Sequence, residues 1–114
     1  MEILTINDYP AAKAAIAAVD CTDAGIAIMA EKAIFRVIKL TDVDTKAANI
    51  LKQTMLSKGG DAAISRHCAD LSQPVTDVIL MATVKQYRAV IPVLLQQPWG
   101  LRQTAHELKQ ILKL

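Results

Sequence analysis

Four side chains have the types and spacing to hold an anion. Thr41 and Thr83 each stand where an apolar, extended-looking segment gives way to a helical pattern, and Lys46 and Lys85 follow within two turns. Helix N-termini present unpaired N–H groups and the positive end of the helix dipole, so they favour negative charge. In α/β sheets, ligand crevices open beyond the carboxyl ends of the strands. If the two apolar segments are parallel neighbours, Thr41, Thr83 and Lys85 gather at one sheet edge with Lys46 nearby. Such an edge suits a small anionic or nucleotide-like ligand. The plainer reading is that both threonines are ordinary caps and the lysines are solvated.

A second group has the character of a contact surface. Asn49, Lys52 and Gln53 form a polar stripe on one helical face, with Leu56 beside them. A leucine in that setting marks a docking face, although single exposed apolar residues are common. Trp99, in QQPWGL, either plugs the turn between two helices or anchors a contact with another domain, where tryptophan is enriched.

His67 and Cys68 are adjacent, with Asp70 close by. Zinc needs about four ligands at suitable spacing, and here the others would be Cys21, His106 and scattered carboxylates. A loop histidine beside a half-buried cysteine explains them without a metal. A Cys–His nucleophilic pair fails because adjacent side chains on an extended chain diverge. There is no phosphate loop, GxGxxG, GxSxG or HExxH in the sequence. No residue is therefore assigned to catalysis or to a metal, and no cofactor to this segment.

The positioning elements follow from periodicity. Glu2–Ile6 alternates weakly and predicts a short strand. Asp8 caps a helix with Pro10 in its first turn and Tyr9, Ala12, Ile16 and Val19 on one stripe. Cys21–Gly25 reads as a turn, and Ile26–Met29 as either an extended piece or a helical turn. Ala33–Leu40 predicts a strand apolar on both faces. A helix over residues 44–58 buries Ala47, Ile50, Leu51, Thr54 and Met55, and Gly59–Gly60 stops it. Ala62–Arg66 is a short strand, and a loop containing Pro74 leads to a buried strand over Asp77–Ala82. Thr83 caps a helix reaching about Gln97, with Pro92 on its polar side. After Pro98–Gly100, a last helix carries Leu101, Thr104, Ala105, Leu108, Ile111 and Leu112 on its seam. The expected fold is a single α/β (α+β) domain over 1–114. It is a two-layer sandwich with a small mixed sheet of 3-4 strands covered by helices, ferredoxin-like or a permutation of it, plus a C-terminal helix.

Composition narrows the function classes. The 114 residues are 53% hydrophobic but only 4% aromatic, so the core is aliphatic and close-packed. The net charge of +2, with both signs interspersed, gives no footprint for nucleic acid or membrane. No apolar run approaches the ~20 residues of a membrane span, and MEILTINDYP has no basic leader region. Two cysteines without CxxC spacing point to a cytoplasmic protein with free thiols. The alanine-rich side of the first helix, or an edge strand, offers a surface for homo-oligomerisation.

Several stretches resemble the extra N-terminal domain of Clostridia-type dihydropteroate synthases: GIAIMAEKAIFRVIKL (25–40), AANILKQTMLSKGGDAAISR (47–66), TDVILMATVKQYR (76–88) and QQPWGLRQTAHEL (96–108). The resemblance spans most of the chain and is densest over 47–66. It implies a place in folate synthesis beside a TIM-barrel enzyme that joins a pterin diphosphate to para-aminobenzoate, usually with magnesium. A barrel takes about 250 residues, so this segment does not contain one, and its Asn-x-x-Pro-Asp-Ser-Phe loop is absent. The resemblance therefore transfers no catalytic residue, and magnesium belongs to the attached barrel alone. With no catalytic set in the chain, the leading expectation is a non-catalytic accessory/regulatory or docking domain, and the resemblance supplies the synthase barrel as its partner in cis or in trans. The alternative is a stand-alone domain binding a small anionic, nucleotide-like or pterin ligand.

Overall fold

Asp8 accepts from the Ala11 N–H at 2.8 Å and, with Pro10 in the first turn, starts helix α1 (Tyr9–Ala17). Thr22 caps α2 (Asp23–Ala30) in the same way, through the Gly25 N–H at 3.1 Å. The chain then forms strand β1 (Phe35–Asp44), helix α3 (Thr45–Ser57), strand β2 (Asp61–Ile64), a short 3-10 turn (Arg66–Cys68), strand β3 (Val75–Thr83) and helices α4 (Val84–Leu94) and α5 (Leu101–Leu112). This is a computed structural model, and it describes residues Met1–Leu114.

The sheet has the order β1-β3-β2, with β3 antiparallel to both neighbours. The expected α/β class and small helix-covered sheet are present. The order is the split β-α-β arrangement of ferredoxin-like folds. Two expectations are corrected. The sheet is antiparallel rather than mixed, because β3 returns between β1 and β2 instead of running alongside β1. Residues 2–6 also form no strand, so the position beside β1 is unfilled and β1 is an edge.

Helices α3 and α4 cover one face of the sheet, and α5 packs on α4. The principal core joins Leu51, Met55, Leu80, Tyr87, Val90, Leu94, Leu101 and Leu108, all buried. Tyr87 donates its hydroxyl to the Arg36 carbonyl at 2.8 Å, so its one polar group is satisfied inside the core. Burial pushes that phenol well above its ordinary range.

The expected helix stop is a close approach of backbone. Gly59 has φ +86°, and a Cβ on Gly60 would lie 2.9 Å from the Met81 carbonyl oxygen. Near the other end of β1 the pairing slips: Leu40 faces Val78, but Val43 faces Thr76. The extra residue is a β-bulge, and Asp42 within it has φ +53°.

Other boundaries moved. Ile26–Met29 lies inside α2, and Asp23–Gly25 is its first turn. Helix α4 ends at Leu94 rather than near Gln97. On α1, Ala12 is buried and Ile16 partly so, but Tyr9 is exposed, and Val19 falls in the turn after the helix, also exposed. His106 lies exposed on α5, and Pro92 is exposed inside α4, as their helical positions predict.

Candidate functional site

Antiparallel pairing separates the four residues expected to share an anion site. Thr83 faces Phe35 at the start of β1, whereas Thr41 lies in the bulge near its end. Thr83 and Lys85 thus sit at one end of the sheet, and Thr41 and Lys46 at the other. Thr83 is engaged in a capping box: its hydroxyl accepts from the Gln86 N–H at 3.2 Å, and the Gln86 side chain accepts from the Thr83 N–H at 2.8 Å. The Lys85 N–H donates to the Glu31 carbonyl at 3.2 Å, and its side chain is exposed. The helix that follows β1 is capped by Asp44, through the Lys46 and Ala47 N–H groups at 2.8 and 3.3 Å, and not by Thr41.

The polar stripe on α3 divides. Asn49 donates to the Cys68 carbonyl at 2.9 Å. Lys52 donates to Asp61 at 3.1 Å and to the Ala62 carbonyl at 2.7 Å. These two tie α3 to β2 and to the turn after it. Asp61 is held below the usual carboxylate range, first by the Ala62 N–H and then by Lys52. Gln53 and Leu56 remain exposed. Cys68 is fully buried and Cys21 partly exposed, both as free thiols. No group of three or more His, Cys, Asp and Glu side chains is placed to hold a metal ion.

The structure unites residues that sequence reading kept apart. A groove of about 530 Å³ runs between the edge of β1 and α5. Ile38, Leu40, Ala47, Leu108 and Ile111 give it an apolar lining, and Thr41, Asp42, Gln103 and Glu107 supply polar groups. Trp99 stands at its rim, 53% exposed, so it does not plug the interhelix turn. Trp99 and Gly100 have φ +55° and +82°, and this left-handed pair sets the indole at the start of α5. The Lys46 ammonium lies 5.6 Å from the indole centroid, within cation–π range. Ile111, expected on the buried seam, is 65% exposed and faces this groove. Thr41, Lys46 and Trp99 were legible singly. Asp42, Gln103 and Glu107 carry no sequence signal beyond their polarity, because only the fold brings α5 alongside β1.

A second cavity, about 610 Å³, lies where α1, α2, the start of β1, α4 and the C-terminus meet. Both of its arginines already have partners. Arg88 binds Glu31 through both nitrogens of its fork, at 2.6 and 3.0 Å, and Arg36 donates to the Asn7 carbonyl. This is a packing seam.

The other face of the sheet carries no helix. Phe35, Val37 and Ile79 are 56%, 64% and 38% exposed, with Met81 and Ala63 beside them in register. The sequence reading buried both faces of β1. The strand instead alternates, and its second apolar row faces outward.

No family model matches the chain, and no solved structure does. Three curated proteins match a segment. The chain is 38% identical over 85 residues to a bifunctional dihydropteroate synthase/dihydropteroate reductase of Helicobacter pylori, covering 75% of this chain and 22% of that protein. It is 34% identical over 107 residues to a probable bifunctional folylpolyglutamate synthase/dihydropteroate synthase of Halobacterium salinarum, covering 94% and 13%. The corresponding Haloferax volcanii protein is 31% identical over 83 residues, covering 73% and 10%. The chain thus spans between a tenth and about a fifth of the relatives it matches. No helix is long and apolar enough to cross a membrane. The chain is related to one segment of bifunctional folate-pathway proteins that include a dihydropteroate synthase.

Proposed function

We propose that this chain is a non-catalytic accessory domain of a dihydropteroate-synthase-type protein, and that it docks on the synthase barrel through the open face of its sheet. The observation that carries this reading is the apolar row Phe35, Val37 and Ile79, which is exposed on the open face of an antiparallel sheet, a face that is ordinarily polar. Contiguous exposed apolar surface marks an interaction site. The relatives support the choice of partner, because each has a dihydropteroate synthase in the same polypeptide as the matching segment. The resemblance to the Clostridia-type N-terminal domain agrees with that arrangement, whether the barrel lies in cis or in trans.

Titration calorimetry of the chain against a dihydropteroate synthase barrel from the same organism tests the docking. The doubly substituted Val37→Asp/Ile79→Lys chain keeps its core and should lose at least tenfold in affinity. Equal binding by the wild-type and substituted chains, or no binding at tens of micromolar, removes the reading. The barrel alone should also complete the pterin condensation.

The Helicobacter relative carries a reductase as well as a synthase in its name, and this favours a second reading. In it, the segment shares in reducing a dihydropterin, with a reduced nicotinamide or flavin supplying the electron pair. Nicotinamide or flavin oxidation that depends on both the chain and dihydropteroate is the expected signal. Its absence with both donors ends that reading.

A further inference from the structure

From the free rim of β1 we infer an interface between two copies of this chain, in which residues 1–5 of each copy form a strand along Phe35–Leu40 of the other. It uses the rim of the sheet rather than its open face, and so goes beyond the docking reading. Strand β1 is bonded to β3 on one side only, and its outer side presents backbone groups to an incoming strand. The bulge after Leu40 limits the regular part of that rim to Phe35–Leu40, about the length of the arm. Residues 1–5 belong to no helix or strand and are all exposed, Ile3 by 98% and Leu4 by 56%. The root of the arm is fixed. Ile6 packs on the cluster of Ala12 and Ile34, the Asn7 carbonyl accepts from Arg36, and Asp8 caps α1. No residue of the arm lines the groove between β1 and α5 of its own chain. One molecule thus carries an apolar extended arm and a bare strand rim that do not meet, and a second copy joins them.

Complementarity selects the register. With the arm antiparallel and Glu2 opposite Lys39, Met1 meets Leu40, Ile3 meets Ile38 and Leu4 meets Val37. Opposite charges and apolar pairs facing each other across strands are the stabilising combinations. Ile38 and Leu40 line the groove, so Met1 and Ile3 fall on its side, while Leu4 extends the outward apolar row beside Val37. A slip of one residue would turn Glu2 into the apolar groove, and a parallel arm would set Leu4 against Thr41 in the bulge. Both members of the proposed ion pair are available. Glu2 takes no part in the chain's ion pairs, and Lys39 has only a loose contact with Asp77 at 3.9 Å, both side chains being exposed. Reciprocal exchange about a two-fold axis gives each copy one arm and one rim, so the assembly closes at two.

Sedimentation velocity from micromolar to millimolar chain tests this. The wild type should pass reversibly from 12.4 kDa to twice that mass and no further. The chain lacking residues 1–5 keeps every helix and strand and should stay monomeric. Glu2→Lys and Lys39→Glu, each alone, place like charges opposite one another at both arms and should weaken the dimer roughly tenfold. Mixing these two variants restores both opposite-charge contacts, because each arm then meets the rim it matches. The mixture should therefore dimerise as the wild type does. A wild type that is monomeric throughout the range would overturn the inference, as would a dimer that survives loss of residues 1–5. So would a mixture that dimerises no better than its components, and recovery only when both substitutions share one chain would assign the arm to its own rim instead.

Discussion

The sandwich from β1 onward buries sixteen side chains in one cluster, whereas the helices before it share a cluster of four: Ala12, Ala30, Ile34 and Val84. Two of those four are alanines, which bring helices close but bury little surface. The α1–α2 pair is tied to the body chiefly by polar contacts. Glu31 meets Arg88 through a forked ion pair, the Lys85 N–H donates to the Glu31 carbonyl, and Arg36 reaches the Asn7 carbonyl. The radius of gyration, 16.0 Å, exceeds the about 13 Å of a compact chain of this length. One region is thus held by packing and the other by a few directed bonds, and they should come apart in different ways.

The largest effect is expected in the body. Leu80→Ala removes a fully buried side chain between β3 and its helices and should cost about 2–5 kcal/mol in denaturant unfolding. A loss below 1 kcal/mol would place the main core elsewhere. Next comes Gly60→Ala, whose new methyl meets the Met81 carbonyl and should cost about 1–3 kcal/mol. An unchanged or raised midpoint would show that this approach is not tight.

Matched caps then sharpen the contrast. Thr83→Ala should lower global stability by about 1 kcal/mol, because Thr83 caps a core helix. Asp8→Ala removes an equivalent cap from α1, yet it should speed hydrogen exchange only within residues 9–30. If both variants shift global unfolding equally, the two regions form one cooperative unit.

The smallest effect concerns acid. The hydrogen bond from Arg88 holds the Glu31 carboxyl below its ordinary value of 4.5, against the opposing effect of burial. A depressed folded pKa means that the clamp contributes fully above 4.5 and fades as pH falls through the folded value. Exchange in α1 and α2 should therefore rise at acid pH before exchange in β3 does. Glu31→Gln should remove that step. A wild-type profile without it would assign the attachment to Ala12 and Ile34 instead.

The elements were largely legible because α3, α4 and α5 carry clear helical stripes and β1 and β3 are rich in branched residues. The direction of β1 was not. Phe35 and Val37 made its outer row look like an interior row, so the strand read as a doubly covered parallel one. Composition reports that a row is apolar, and only coordinates tell what covers it. The same error scattered the anion site, since the meeting of Thr41 with Thr83 depended on strand direction. It also concealed the groove. Trp99 and Lys46 are far apart in sequence, and their contact requires α5 to lie back along β1. Helix α2 was ambiguous because DAGIAIMA has no apolar period to read.

The slipped register at Thr41–Asp42 has a consequence for the molecule in a crowded solution. An unbroken ten-residue rim would template the addition of stray strands from other chains and seed fibres. The bulge cuts that rim into a stretch before Thr41 and a short remnant after it, out of phase with each other. An incoming strand can match one stretch or the other but not both, and Lys39 and Asp42 add charge at the break. This kink should help keep the chain colloidally discrete while leaving its outward apolar row free for a chosen partner.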